Sequence, residues 1–230
     1  MICPHCAASV KHRERSGHRC GRCGREFVFE PRDHASRLTD VQVRRAAAWL
    51  GEGLFRYTFG QLTATVGRGG AVPPNFRETM LLRWPQVHGS LPAGLVDERS
   101  RIGADPPIRP VTAHVLCPDR AVSACLLAND VQRRFDVLVR GRDAPAGTQT
   151  VLLFGGLDER AHKMLATLRR SGRRAVAVGP PAGRALVRVR PSVLVEWLDL
   201  AVRAETRFRD GARKAAAVDY LDWPGVTDVD

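Results

Sequence analysis

Hydrophobic positions along the chain fall into three helical stripes, followed by short apolar runs that alternate with further helical periods. Leu38-Thr39-Asp40-Val41-Gln42-Val43 opens the first stripe, with Thr39 placed to cap a helix, Gln42 to reciprocate three residues on, and Leu38 to staple against Val43. Gly51 and Gly53 end it. The device recurs at Tyr57-Thr58-Phe59-Gly60-Gln61-Leu62, where Thr58 caps, Gln61 reciprocates, and Phe59, Leu62 and Val66 make the stripe that Gly67, Gly69 and Gly70 stop. A third helix starts at Asn75-Phe76-Arg77-Glu78 and is expected to end near Trp84, because Pro85 follows. Residues 91–110 are a Pro-rich boundary.

Beyond it the period changes. Strands are predicted at 111–117, 135–139, 151–154, 175–178 and 186–189. Helices are predicted from a cap at Asp119 to about 128, over 158–170, and from Ser192 to about 208, the last with Val193, Trp197, Leu200 and Ala201 on its apolar face. Strands alternating with helices predict a mainly parallel, Rossmann-like sheet with helices on both faces. The link over 139–150 holds Gly141, Pro145 and Gly147 without a helical period, so a loop or hairpin is expected there in place of a crossover helix.

The first thirty residues carry the most specific chemistry. Cys3-Pro4-His5-Cys6 and Cys20-Gly21-Arg22-Cys23 are two C-x-x-C pairs, each able to place two thiolates on one turn and together four sulfurs on one tetrahedral ion. Ser16-Gly17 reverses the chain between them, Ala7 and Gly24 suit the tight turns after each pair, and Phe27-Val28-Phe29 alternates with charged neighbours as a half-exposed strand. These features resemble a zinc ribbon over residues 1–32, which implies Cys3, Cys6, Cys20 and Cys23 as ligands of a structural Zn²⁺. His5, His12 and His18 are alternative ligands, and a redox dithiol is the other reading of each pair; two pairs this close together favour a closed metal site. A ligand at position 3 argues against a cleaved signal peptide.

Composition narrows the class. The chain has 230 residues, 44% of them apolar, and no run approaching a membrane span, so a soluble protein of two or three domains is expected. Six cysteines, four in the metal pattern, fit a reducing cytoplasm, with Cys117 and Cys125 read as small buried residues. The net charge of +12 is distributed as +4 over residues 1–32, +3 over 33–110, +8 over 111–190 and −3 over 191–230. A basic body with an acidic tail points to a polyanionic partner, nucleic acid first. Arginine outnumbers lysine 33 to 3, the mark of a GC-rich, bacterial-type genome. Arg13, Arg15, Arg19, Arg22 and Arg25 on the ribbon and Arg169, Arg170, Arg173 and Arg174 form the expected phosphate contacts; Arg77 and Arg83 join them if the three helices are a helix-turn-helix or winged-helix unit.

Ligand sites of parallel sheets lie at the carboxyl ends of the strands. Those ends carry Cys117-Pro118-Asp119, Gly155-Gly156-Leu157-Asp158-Glu159 and Gly179-Pro180-Pro181-Ala182-Gly183-Arg184, without a dinucleotide or P-loop fingerprint. Asp119, Asp158 and Glu159 faintly resemble the acidic arrangement of Toprim-type domains, which implies Mg²⁺ and chemistry on nucleic acid. The glutamate after the first strand and the D-x-D after a later one are missing, so the resemblance implies a catalytically silent version. The same acids fit helix caps and first-turn positions. The tail, Ala215-Ala216-Ala217-Val218-Asp219-Tyr220-Leu221-Asp222-Trp223-Pro224, fits a protein-docking segment or one that folds back.

The expectation is therefore a multidomain α/β chain: zinc ribbon (1–32), small helical domain (33–110), Rossmann-like α/β domain (111–209) and acidic, aromatic tail (210–230). The function expected is that of a non-enzymatic adaptor or regulator on nucleic acid. A magnesium-dependent enzyme and a protein-assembly adaptor are the alternatives.

Overall fold

Thr39 and Thr58 cap two helices by the same exchange, each hydroxyl accepting from the N–H of the glutamine three residues on while that glutamine's side chain accepts from the threonine's own N–H. In this computed structural model, which describes residues 1–30, 37–69, 71–100, 102–141, 145, 148, 150–154, 159–180 and 185–209, they open α1 (Asp40–Gly51) and α2 (Phe59–Val66). The chain divides into two compact units, Met1–Leu95 and Val96–Asp230.

The first unit contains the cysteine segment and the three helices. Before α1 lie a 3-10 turn (His12–Glu14) and a hairpin, β1 (Arg15–Ser16) against β2 (Arg19–Cys20), reversed at Gly17 with φ +55°. Between α1 and α2 is β3 (Tyr57–Thr58); α3 (Phe76–His88) and β4 (Leu95–Val96) follow. Leu38, Val43, Leu50, Phe59, Leu62, Met80 and Trp84 share one core, and Val28 and Phe29 belong to it too.

Two expectations fail here. Phe27, Val28 and Phe29 form no strand and all three are buried. The alternation with charge does not set their fate, because Val28 and Phe29 join the core of the three helices while Phe27 packs on His18. Nor does α3 stop at Trp84: Pro85 lies inside it, and the helix ends three residues later, where the Gly89 N–H donates to the Pro85 carbonyl at 2.7 Å and Gly89 takes φ +84°. Proline removes one ladder bond at a cost of roughly 3 kcal/mol, which burial of Trp84 and of the His88 side chain offsets.

The second unit is built on a four-stranded parallel sheet, order β6-β5-β7-β8, with β5 (Ala113–Leu116), β6 (Val137–Arg140), β7 (Thr150–Phe154) and β8 (Arg174–Val178). Val115 pairs with Val139 on one side and Leu152 on the other. α4 (Arg120–Ala128) and α5 (Val131–Phe135) carry the chain from β5 to β6, and α6 (Glu159–Arg170) joins β7 to β8. The link from β6 to β7 carries no helix in its described residues, as its glycines and proline imply. α7 (Pro191–Arg209) packs on α4, α5 and β8, while α6 lies on β7 and β8.

Here too the expectations need correction. The strand expected at 186–189 is a 3-10 turn, Leu186–Arg188, closed by Arg188 N–H to Ala185 O and Val189 N–H to Leu186 O. The expected start of β6 is occupied by α5, a single helical turn bracketed by Asp130 and Asp136, both at positive φ. α7 buries Leu194, Trp197, Leu198 and Ala201, with Leu200 turned outward. Among the described residues no helix is long and apolar enough to cross a membrane.

Candidate metal centre

Each C-x-x-C pair closes by the same backbone pattern. Cys3 O accepts from Ala7 N–H at 3.1 Å and Cys3 N–H donates to Ala8 O at 2.9 Å; Cys20 O accepts from Gly24 N–H at 2.8 Å and Cys20 N–H donates to Arg25 O at 3.0 Å. Ala7 (φ +55°) and Gly24 (φ +68°) both take the left-handed conformation that turns the chain away after the second sulfur. The second turn is also tied to the hairpin, because Gly21 N–H donates to Glu14 O at 2.8 Å.

This duplication brings four sulfurs together. Sγ of Cys3 is 3.8 Å from Sγ of Cys23, Sγ of Cys6 is 4.0 Å from Sγ of Cys20, and all four lie within 4.8 Å of one another. A tetrahedron of thiolates about 2.3 Å from an ion has edges of about 3.8 Å, so the cluster has the size of a closed four-sulfur shell. Cys3 and Cys20 are buried with Val10; Cys6 and Cys23 face solvent. Burial pushes the Cys3 thiol up to about 12, while the N–H of Cys23, and then that of Arg22, bring Cys20 down to about 7. Buried backbone donors thus favour a thiolate at one position, and a cation is what makes thiolates favourable at all four.

The histidines that stood as alternative ligands lie outside this cluster. The cluster that can hold an ion consists of the four cysteines. His5 bonds through Nε2 to Glu26 O at 2.6 Å, His18 packs on Phe27, and His12 is exposed.

A polar network that the sequence does not announce lies behind the turns. Asp40, fully buried at the first position of α1, accepts from Val28 N–H (2.9 Å), Phe29 N–H (2.8 Å) and His88 Nε2 (2.7 Å). His88 Nδ1 in turn lies 2.8 Å from Arg44, whose other terminal nitrogen donates to Pro4 O at 2.8 Å. Arginine only donates and the carboxylate only accepts, so these contacts suit an imidazole that donates from Nε2 and accepts at Nδ1. His5 completes the network, its ring 5.2 Å from that of His88. An acid beside a capping threonine reads in sequence as a first-turn dipole residue, and a histidine beyond a proline reads as loop; no signal joins them.

The predicted arginines are scattered. Arg13, Arg22 and Arg25 are exposed, Arg19 pairs in the open with Glu26, and Arg15 is buried in an ion pair with Glu30. Arg77 lies over the Phe59 ring and Arg83 is half-buried. Arg169, Arg170 and Arg174 are exposed at the end of α6 and start of β8, with Arg173 half-buried between them. Asp119 caps α4, its Oδ1 accepting from Ala121 and Val122 N–H, and Glu159 pairs with Lys163 one turn on. Asp158, residues 155–157 and 181–184, and the tail over 210–230 lie outside the described residues. Cys117 and Cys125 are buried, and burial pushes the Cys117 thiol up to about 12. No protein-family model matches the chain, nor does any curated protein or solved structure.

Proposed function

We propose that the chain is a non-enzymatic zinc-ribbon adaptor or regulator that associates with nucleic acid through its basic surface. The four convergent sulfurs carry this reading. Thiolates in a tetrahedral set suit zinc, and four of them leave no position for substrate or water, so the ion's role is structural. When bound it contributes folding energy on the order of 10–16 kcal/mol to a segment whose own core is Cys3, Val10 and Cys20. Around it stand Arg13, Arg22 and Arg25, exposed cations on a chain of net charge +12.

The parallel order β6-β5-β7-β8 supports a Rossmann-like reading of the second unit, used for interaction or ligand sensing. Asp119 spends its carboxylate on a helix cap, which favours that use over magnesium chemistry.

The test is binding of the zinc-loaded chain to labelled duplex DNA, single-stranded DNA and RNA over a salt series, with magnesium added in parallel. Log affinity falling with log salt, at about −0.9 per phosphate on duplex DNA or about −0.7 on a single strand, is the expected result. No binding at roughly 50 mM salt removes the nucleic-acid reading. Turnover that needs magnesium makes the protein an enzyme instead.

A further inference from the structure

We propose that single-stranded nucleic acid binds in the pair of clefts that meet at Arg44 and His88, its phosphates held by Arg25, Arg44 and Arg56. The inference rests on the nucleic-acid reading above and assigns that reading a place and a strandedness.

The first cleft, about 490 Å³, lies between the metal turns and the end of α3, with His5, Arg19, Arg25, Arg44, Gln86 and His88 in its wall. Its one carboxylate, Glu26, is engaged by Arg19 at 2.6 Å. The second, about 670 Å³, runs along α1 and shares Arg44 and His88; Arg56 joins them there, and the wall contains no carboxylate. Each cleft is therefore net positive, and the charge is continuous across the residues they share.

Arg44 is the fixed point. It is exposed, yet one terminal nitrogen is held by Pro4 O and the other by His88 Nδ1. A guanidinium has five N–H donors, so three remain for an anion, and they are presented with little side-chain entropy left to lose. Arg25 and Arg56 are exposed on either side of it.

The shape selects the strand. Clefts of about 490 and 670 Å³ have the size of small-molecule sites and suit the nucleotides of one strand, whereas a duplex offers its phosphates on a convex surface. The second cleft also exposes apolar surface beside its cations: Leu54 is 89% exposed and Phe55 stands next to it in the wall. Unstacked bases find such surface useful, and a duplex, whose bases are covered, does not.

The test uses the full zinc-loaded chain, a fluorescent oligothymidine of about 20 nucleotides and a duplex of equal length, followed by anisotropy at roughly 50 and 200 mM salt. The oligothymidine is expected to bind more tightly than the duplex. Arg25→Ala with Arg56→Ala is expected to weaken it roughly tenfold or more and to reduce the salt slope by about 0.7 for each phosphate no longer neutralised. Arg133→Ala with Arg134→Ala, exposed on α5, is expected to leave binding unchanged. Leu54→Ser removes the apolar wall without touching charge, and is expected to weaken the oligothymidine several-fold at constant slope. Zinc content and melting temperature confirm that each variant is folded. The cleft is overturned, with nucleic-acid association left standing, by tighter duplex binding, by wild-type affinity in the cleft variants, or by weakening in the α5 variant alone. If the wild-type chain binds neither probe, both readings fall.

Discussion

Asp40 and His88 stand forty-eight positions apart and meet at 2.7 Å, the carboxylate fully buried and the imidazole nearly so. The bond ties the first residue of α1 to the last of α3. Because the same carboxylate takes the N–H groups of Val28 and Phe29, it also fastens the chain that leaves the second cysteine pair. Asp40→Ala strips three buried donors of their acceptor at once. With about 1–3 kcal/mol for each unsatisfied group, a loss on the order of 3 kcal/mol or more is expected, read by guanidinium unfolding of the zinc-loaded protein. A loss under about 1 kcal/mol would mean that water replaces the carboxylate and that the site is not sealed.

What the sequence discloses and what it hides follow from this relationship. The caps at Thr39 and Thr58, the turns at Ala7 and Gly24 and the cysteine spacing are local, decided by residues three or four apart, and each is legible in the sequence. The burial of Val28 and Phe29 is decided by helices that begin ten residues later. The continuation of α3 through Pro85 depends on where Trp84 and His88 find their partners. Asp40, Arg44 and His88 are individually ordinary, and only folding makes them a network.

Gly21 offers a test of the proposed zinc site that leaves all four cysteines in place. A Cβ at this position would collide with the Glu14 carbonyl oxygen, the atom that accepts the Gly21 N–H. Backbone cannot yield as a side chain can, so the second cysteine turn must shift. Gly21→Ala is expected to lower zinc affinity by tenfold or more, of the size seen when supporting shells are altered, measured by competition with a chromophoric chelator. Gly24→Ala meets open space and only the strain of φ +68°, costing about 1–2 kcal/mol and leaving the stoichiometry at one ion per chain. Equal affinities for the two variants would contradict the close approach at Gly21.

Tyr57 presents the opposite case, a polar atom whose removal helps. Its ring is fully buried against Gly51 and Gly94, and its hydroxyl has no hydrogen-bond partner among the described residues. Burial accordingly pushes the phenol well above its usual range. An unsatisfied buried hydroxyl costs about 1–3 kcal/mol, so Tyr57→Phe is expected to match or exceed the wild-type protein in thermal stability. A clear decrease would reveal a partner for the hydroxyl, an ordered water being the simplest.

His114 gives the second unit an acid-sensitive point. It lies in β5 between β6 and β7, its Nδ1 buried without a partner among the described residues. Desolvation first, and then the charge of Arg140, lower its pKa. The sign follows directly: the unfolded chain takes up this proton more readily than the folded one, so the contribution to stability is complete above the ordinary histidine value near 6.5 and is lost as the pH falls through the lower, folded value. An imidazole NMR titration is expected to place the His114 midpoint below the ordinary histidine value near 6.5. Between about pH 7 and 5, His114→Asn is expected to lose less stability than the wild-type protein. A midpoint at or above the ordinary value would show that the imidazolium is accommodated, and that β5 tolerates a charge the geometry says it should reject.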